Sequence, residues 1–221
     1  MSGFSTVLPK KRAISSGANV KFVLKAIKKK QIMRLDHIAY RVKNRFKTAT
    51  LFVECFGYRI AEDLPDGFKI EFEDGSYADC LVLLPPEQIT GNAPWLTEQY
   101  FNHEFVNYHL PPEIFISDGT NDSIVGKWVE ERGGVGGIHH MAFQVDSVQK
   151  KMLEWEAKGF VEFASAQPLT CPGLVQVFTK PSELTGVIYE LIERENHGFC
   201  KDNVKALMES TRDFTEKKRA A

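Results

Sequence analysis

Two stretches of this chain repeat each other. Residues 35–42 read LDHIAYRV and residues 138–145 read IHHMAFQV. Aligned without gaps they share the form Leu/Ile-x-His-Ile/Met-Ala-aromatic-x-Val. Each alternates with period two, as a strand does. A helix-like stretch follows each: 45–56 (RFKTATLFVECF) ending at Gly57, and 147–158 (SVQKKMLEWEAK) ending at Gly159. A glycine just past a helix accepts the left-handed conformation that stops it. An aromatic, Tyr58 or Phe160, then opens the next strand. Self-similarity at this range makes the chain two copies of one supersecondary unit.

Further strands are expected at 58–63, 67–73, 78–84 and 113–118 in the first copy, with turns at Pro65-Asp66-Gly67 and Asp74-Gly75. In the second they fall at 172–179 and 186–193. A helix over 121–132, capped by Asn121 or Asp122, precedes a hinge of Gly133, Gly134, Gly136 and Gly137. The aromatic-rich insertion 85–112 reads as a packed cover. A closing helix spans roughly 202–213, with Val204, Leu207, Met208 and Thr211 along one face. The chain thus divides into a basic N-terminal extension (1–33), a first module (34–132), a second module (133–200) and a C-terminal helix and tail (201–221).

Charge limits the partners. Residues 1–35 hold nine Lys or Arg and no acid, which leaves nineteen basic against twenty-nine acidic residues in the rest. An acidic body excludes a broad nucleic-acid surface, so the expected partner is a small molecule. No apolar run is long enough to be an integral membrane segment. Segment 18–31 can form an amphipathic helix, for which organelle targeting, membrane-surface binding and a dimer-packing extension are all open readings. The four cysteines form no CxxC pair and read as reduced thiols, which fits a cytoplasmic protein. A homodimer is compatible with the sequence.

His37 and His140 are repeat-related, and Glu190 lies among Val187, Ile188, Tyr189, Leu191 and Ile192. Burying an unpaired carboxylate there costs several kcal/mol, and a cation answers that cost. The cation is either a metal shared with the two histidines or Arg194 as a structural partner. Strict alternation puts His139 and His140 on opposite faces, so His139 either turns outward or stands behind the ligand.

These residues resemble the vicinal oxygen chelate superfamily, whose members pair two βαβββ modules, each half a barrel, around a metal. The resemblance covers about 34–214 and implies an α+β fold with His37, His140 and Glu190 as metal ligands. Stretch 113–146 is similar to methylmalonyl-CoA epimerases. Stretch 174–208 is similar to 4-hydroxyphenylpyruvate dioxygenases, sharing Gln176, Phe178, Thr179, Lys180, Pro181, Glu190, Arg194, Gly198, Phe199 and Asn203. Those dioxygenases carry a further N-terminal two-module domain, which the first 33 residues here are too few to form. Val204 stands where they have a second clamping aromatic, and His139 where a Gln is usual.

The resemblance implies that Gln176 orients substrate or oxygen, while Phe178, Phe199, Asn203 and Val204 surround the substrate. The fourth ligand of epimerases and glyoxalases would fall at Phe115, or near Leu81 or Val82, all apolar. Glu113 could substitute if the register slips. Three ligands with three open positions suit Fe(II) chemistry with O2 on an α-keto acid, which chelates through its carboxylate and keto oxygens. An epimerase, isomerase or lyase using Co, Mn or Zn, with Glu71, Glu73 or Glu113 as base, is the second reading. A non-catalytic small-molecule binding protein is the third.

Overall fold

The computed structural model describes residues 33–86, 111–159, 161–195 and 198–212. The expected helix over 18–31 and nearly all of the aromatic insertion lie outside them. Within the described residues the first copy runs β1 (Arg34–Arg41), α1 (Arg45–Phe56), β2 (Arg59–Ile60), β3 (Phe68–Glu71), β4 (Tyr77–Leu84) and β5 (Glu113–Gly119). Helix α2 (Ile124–Glu131) leads to the second copy: β6 (Gly137–Gln144), α3 (Val148–Lys158), β7 (Leu169–Cys171), β8 (Leu174–Phe178) and β9 (Ile188–Arg194). Helix α4 (Lys201–Ser210) follows.

Among the described residues the nine strands form one sheet in the order β2-β4-β5-β1-β6-β9-β8-β7, with β3 also on β4. The sheet does not close, since β2 and β7 end it. Each module pairs its first strand in parallel with its last, β1 with β5 and β6 with β9. The two first strands pair antiparallel and join the modules at the centre. Module two is a plain βαβββ unit. In module one β2 and β3 share the outer edge of β4, and together they take the place that β7 holds on β8.

Helices α1 and α3 cover one face of this sheet. Ala49 and Phe52 of α1 pack on Tyr58, Leu81, Leu83, Ile114 and Ile116. Val148 and Met152 of α3 pack on Val145, Val177 and Leu191. Burying each large aliphatic side chain contributes about 1.5–3 kcal/mol. Both helices start and stop as the sequence indicates. Asn44 and Ser147 accept from the backbone N–H three residues on, and Gly57 and Gly159 take φ of 73° and 69°.

Helix α2 differs from expectation. It begins later, at Ile124, and its cap is Ser123, whose hydroxyl accepts from Gly126 N at 3.0 Å. The caps expected at Asn121 or Asp122 are displaced because both stay exposed in the turn. Strand 58–63 shrinks to two residues, and β7 was not foreseen. All four cysteines are free. No helix among the described residues is long and apolar enough to cross a membrane.

Candidate metal centre

Because α1 and α3 take one sheet face, the alternate side chains turn to the other. On β1 these are His37, Ala39 and Arg41; on β5 they are Phe115 and Ser117; on β8 and β9 they are Gln176, Phe178 and Glu190. All line one pocket of about 410 Å³, counting the space at its mouth. Val204, Leu207 and Met208 of α4 roof it, and Phe199 joins them from the segment before that helix.

At its base His37, His140 and Glu190 converge, all buried. His37 Nε2 lies 3.3 Å from His140 Nε2. Glu190 Oε2 stands 3.2 Å from the first and 3.1 Å from the second. Ligands about 2.1 Å from a metal and at right angles to one another are separated by roughly 3 Å. The donor triangle therefore fits a divalent cation, and these three residues could hold one.

The backs of the ligands are also engaged. The β1–β6 register slips twice, once at Asp36 and once at His139, each the residue before a converging histidine. Each slip is a bulge, which breaks strict alternation and re-aims a side chain. Asp36 Oδ1 thereby lies 2.8 Å from His37 Nδ1, and His139 Nδ1 lies 2.9 Å from His140 Nδ1. With Nδ1–H of each ligand donating backwards, each Nε2 lone pair faces Glu190. His139 is thus buried at 6% exposure and lines the pocket. Its outward reading is overturned, and the reason is the bulge.

Arg194 is not the partner of Glu190. It pairs with Asp36 through Nη2 (3.0 Å) and Nε (3.1 Å), and with Glu113 at 2.9 Å. Glu113 is thereby held away from the metal ligands. The other oxygen of Glu190 accepts from Gln176 Nε2 at 2.7 Å, and Gln176 Oε1 accepts from Asn203 Nδ2 at 3.2 Å. Both polar ends of Gln176 are engaged, so it holds Glu190 in place and ties it to α4.

Electrostatics follow from this packing. Burial alone would raise Glu190, but the charge and hydrogen bonds of His37 and His140 hold it well below the usual carboxylate range. Burial would lower His37, yet Glu190 and Asp36 raise it to about 9. Burial lowers His140 despite Glu190, and it lowers His139 further with the charge of Arg41 beside it. Without metal, one proton sits on His37 between two carboxylates.

The pairing register locates the fourth position. Ala39 pairs with Phe115 on β5, and Ala142, its repeat partner, pairs with Glu190 on β9. Phe115 is thus the counterpart of Glu190, while Leu81 and Val82 lie on β4, one strand further out. Aromatic rings wall the site. The Phe178 ring centre is 4.6 Å from that of His140, and the Phe199 ring is 5.1 Å from His37 and 4.9 Å from Phe115.

No family profile matches the chain, and no curated protein sequence matches it. Solved structures do. A methylmalonyl-CoA epimerase aligns with a TM-score of 0.52 at 20% identity, over 76% of this chain and 100% of the epimerase. A triple mutant of 4-hydroxymandelate synthase from Streptomyces coelicolor aligns with a TM-score of 0.59 at 18% identity, over 82% of this chain and 54% of the synthase. The chain spans about half the length of that synthase.

Proposed function

Starting from a fold shared with vicinal oxygen chelate enzymes, we propose that this protein is a metal-dependent dioxygenase. It acts on a small α-keto acid or a similar chelating substrate, with His37, His140 and Glu190 as metal ligands. The observation that carries the reading is Phe115 in the register of Glu190, which leaves the metal three protein ligands. Fe(II) with three open positions supplies O2 activation coupled to oxidative decarboxylation of a chelated keto acid.

The side chains have defined tasks in this reading. Asp36 and His139 fix the tautomers of His37 and His140. Gln176 keeps one oxygen of Glu190 engaged so that the other faces the histidines. Asn203 couples that arrangement to the docking of α4. Phe178, Phe199 and Val204 surround the organic group, and the roof of α4 excludes water.

An epimerase-type reaction needs a base at the substrate. Glu71 and Glu73 are exposed, and Glu113 is held by Arg194. None of the three expected bases lines the pocket. The discriminating experiment loads the protein anaerobically with Fe(II) and offers a panel of α-keto acids. O2 uptake matched by keto-acid loss and CO2 release supports the proposal. Solvent deuterium entering the substrate without O2 use supports isomerisation instead, and binding with neither reaction supports a binding protein.

A further inference from the structure

Arg41 has no role in the site described above, yet it lines the same pocket. It is 2% exposed. Its Nη2 donates to Thr211 Oγ1 at 3.1 Å, just past α4. Its Nη1 is buried with no hydrogen-bond partner. Among the described residues no carboxylate pairs with this guanidinium. Burial pulls its pKa down to about 9, which still leaves it charged at neutral pH.

A buried cation without a counter-charge is costly, and folded proteins rarely keep one. The neighbouring acids are engaged elsewhere: Asp79 and Asp118 pair with Arg45, and Asp36 and Glu113 pair with Arg194. The groups that do adjoin Arg41 cannot neutralise it. His139 is a base with no negative charge to offer, and burial holds the Cys80 thiol protonated.

The placement of Arg41 relative to the metal ligands is set by one strand. His37, Ala39 and Arg41 share the pocket face of β1, so the Cα atoms of His37 and Arg41 are about 13 Å apart. The residue between them is the smallest that keeps a side chain; Phe115 and His140 flank it, and the roof of Val204, Leu207 and Met208 is apolar. One end of the pocket therefore offers metal ligands and the other a free cationic N–H donor.

We propose that Arg41 binds a second anionic group of the substrate, so that the substrate is an α-keto acid bearing a distal carboxylate. The assignment rests on the chelating-substrate reading above. The keto-acid head lies at His37, His140 and Glu190. A short apolar spacer crosses Ala39, and the distal carboxylate takes the N–H donors of Arg41 Nη1. A charge-assisted hydrogen bond of this kind discriminates by about tenfold to a hundredfold.

The test uses the full chain, metal-free and loaded with Zn(II) as a redox-inert ion, with metal content measured separately. Calorimetry compares 2-oxoglutarate with 2-oxopentanoate, and 2-oxoadipate with 2-oxohexanoate. In the wild type the diacid of each pair binds at least about tenfold more tightly. In Arg41→Gln and Arg41→Met that preference falls to about one, while metal content and monoacid binding stay within about twofold of the wild type. Arg41→Met also raises the melting temperature of the ligand-free protein, because an unpaired buried charge is removed.

Equal binding of diacid and monoacid by the wild type overturns the proposal, as does a preference that survives in both variants. A melting temperature lowered in Arg41→Met with preference intact assigns Arg41 to docking α4 through Thr211. Failure to bind metal refutes the metal reading by itself. The diacid preference measured in metal-free protein still decides the role of Arg41.

Discussion

Phe115 on β5 occupies the register position that Glu190 occupies on β9. Each stands opposite the alanine two residues beyond a converging histidine, Ala39 in one module and Ala142 in the other. One half of a near-symmetric site thus supplies a carboxylate and the other a phenyl ring. Under the proposed function this asymmetry leaves the metal three protein ligands rather than four.

That relationship can be tested by restoring the symmetry. Phe115→Glu should tighten Zn(II) binding by on the order of tenfold and suppress O2 uptake with keto acid. It should also destabilise the metal-free protein by several kcal/mol, since a second carboxylate is buried without a cation. Chelator competition and thermal melts read both effects. Undiminished O2 uptake in this variant would count against the three-ligand reading.

Asp36→Asn removes the charge behind His37 and leaves Arg194, among the described residues, with Glu113 as its charged partner. Metal affinity should fall by about tenfold to a hundredfold with the ligands themselves unchanged. A competition titration with a fluorescent zinc chelator measures it. An affinity equal to that of the wild type would show that the Asp36–His37 contact does not tune the site.

The proton on His37 gives a pH signature. Its pKa rises from 6.5 unfolded to about 9 folded. Its contribution to metal-free stability is thus complete below pH 6.5 and is lost as pH climbs through about 9. In the metal-loaded protein His37 is a neutral ligand and that loss disappears. The melting-temperature gain on adding Zn(II) should therefore grow between pH 6.5 and 9. A gain constant over that window would contradict the protonation assignment.

Gly126 tests the packing of α2. Gly to Ala in a helix interior normally stabilises by about 1 kcal/mol. Here a Cβ would lie 2.1 Å from Thr120 O, a backbone atom. Gly126→Ala should destabilise by about 1–3 kcal/mol in urea melts. A stabilised variant would mean that the turn at Thr120 yields readily.

The two-module plan and the two histidines were legible because a gapless repeat carries its own register, and Glu190 because a carboxylate stood among apolar residues. The bulges were not, because period-two reading assumes unbroken alternation, and one extra residue at Asp36 or His139 inverts it. A trace was there: a polar residue beside each histidine in otherwise apolar strands. Ser123 was missed as a cap because Asn121, Asp122 and Ser123 have similar intrinsic preferences, and the burial of Ile124 and Val125 selects among them. Arg41 left a signal too. A charged residue four positions from His37 shares its strand face, and the packing of α2 and α4 over that face makes the place buried.

His37, His140 and Glu190 are proposed to bind one metal ion. Metal analysis of protein purified anaerobically, beside the His140→Ala variant, tests it most directly. About one iron per chain in the wild type, and nearly none in a variant with an unchanged circular dichroism spectrum, is the expected result. Full metal occupancy in His140→Ala would contradict it.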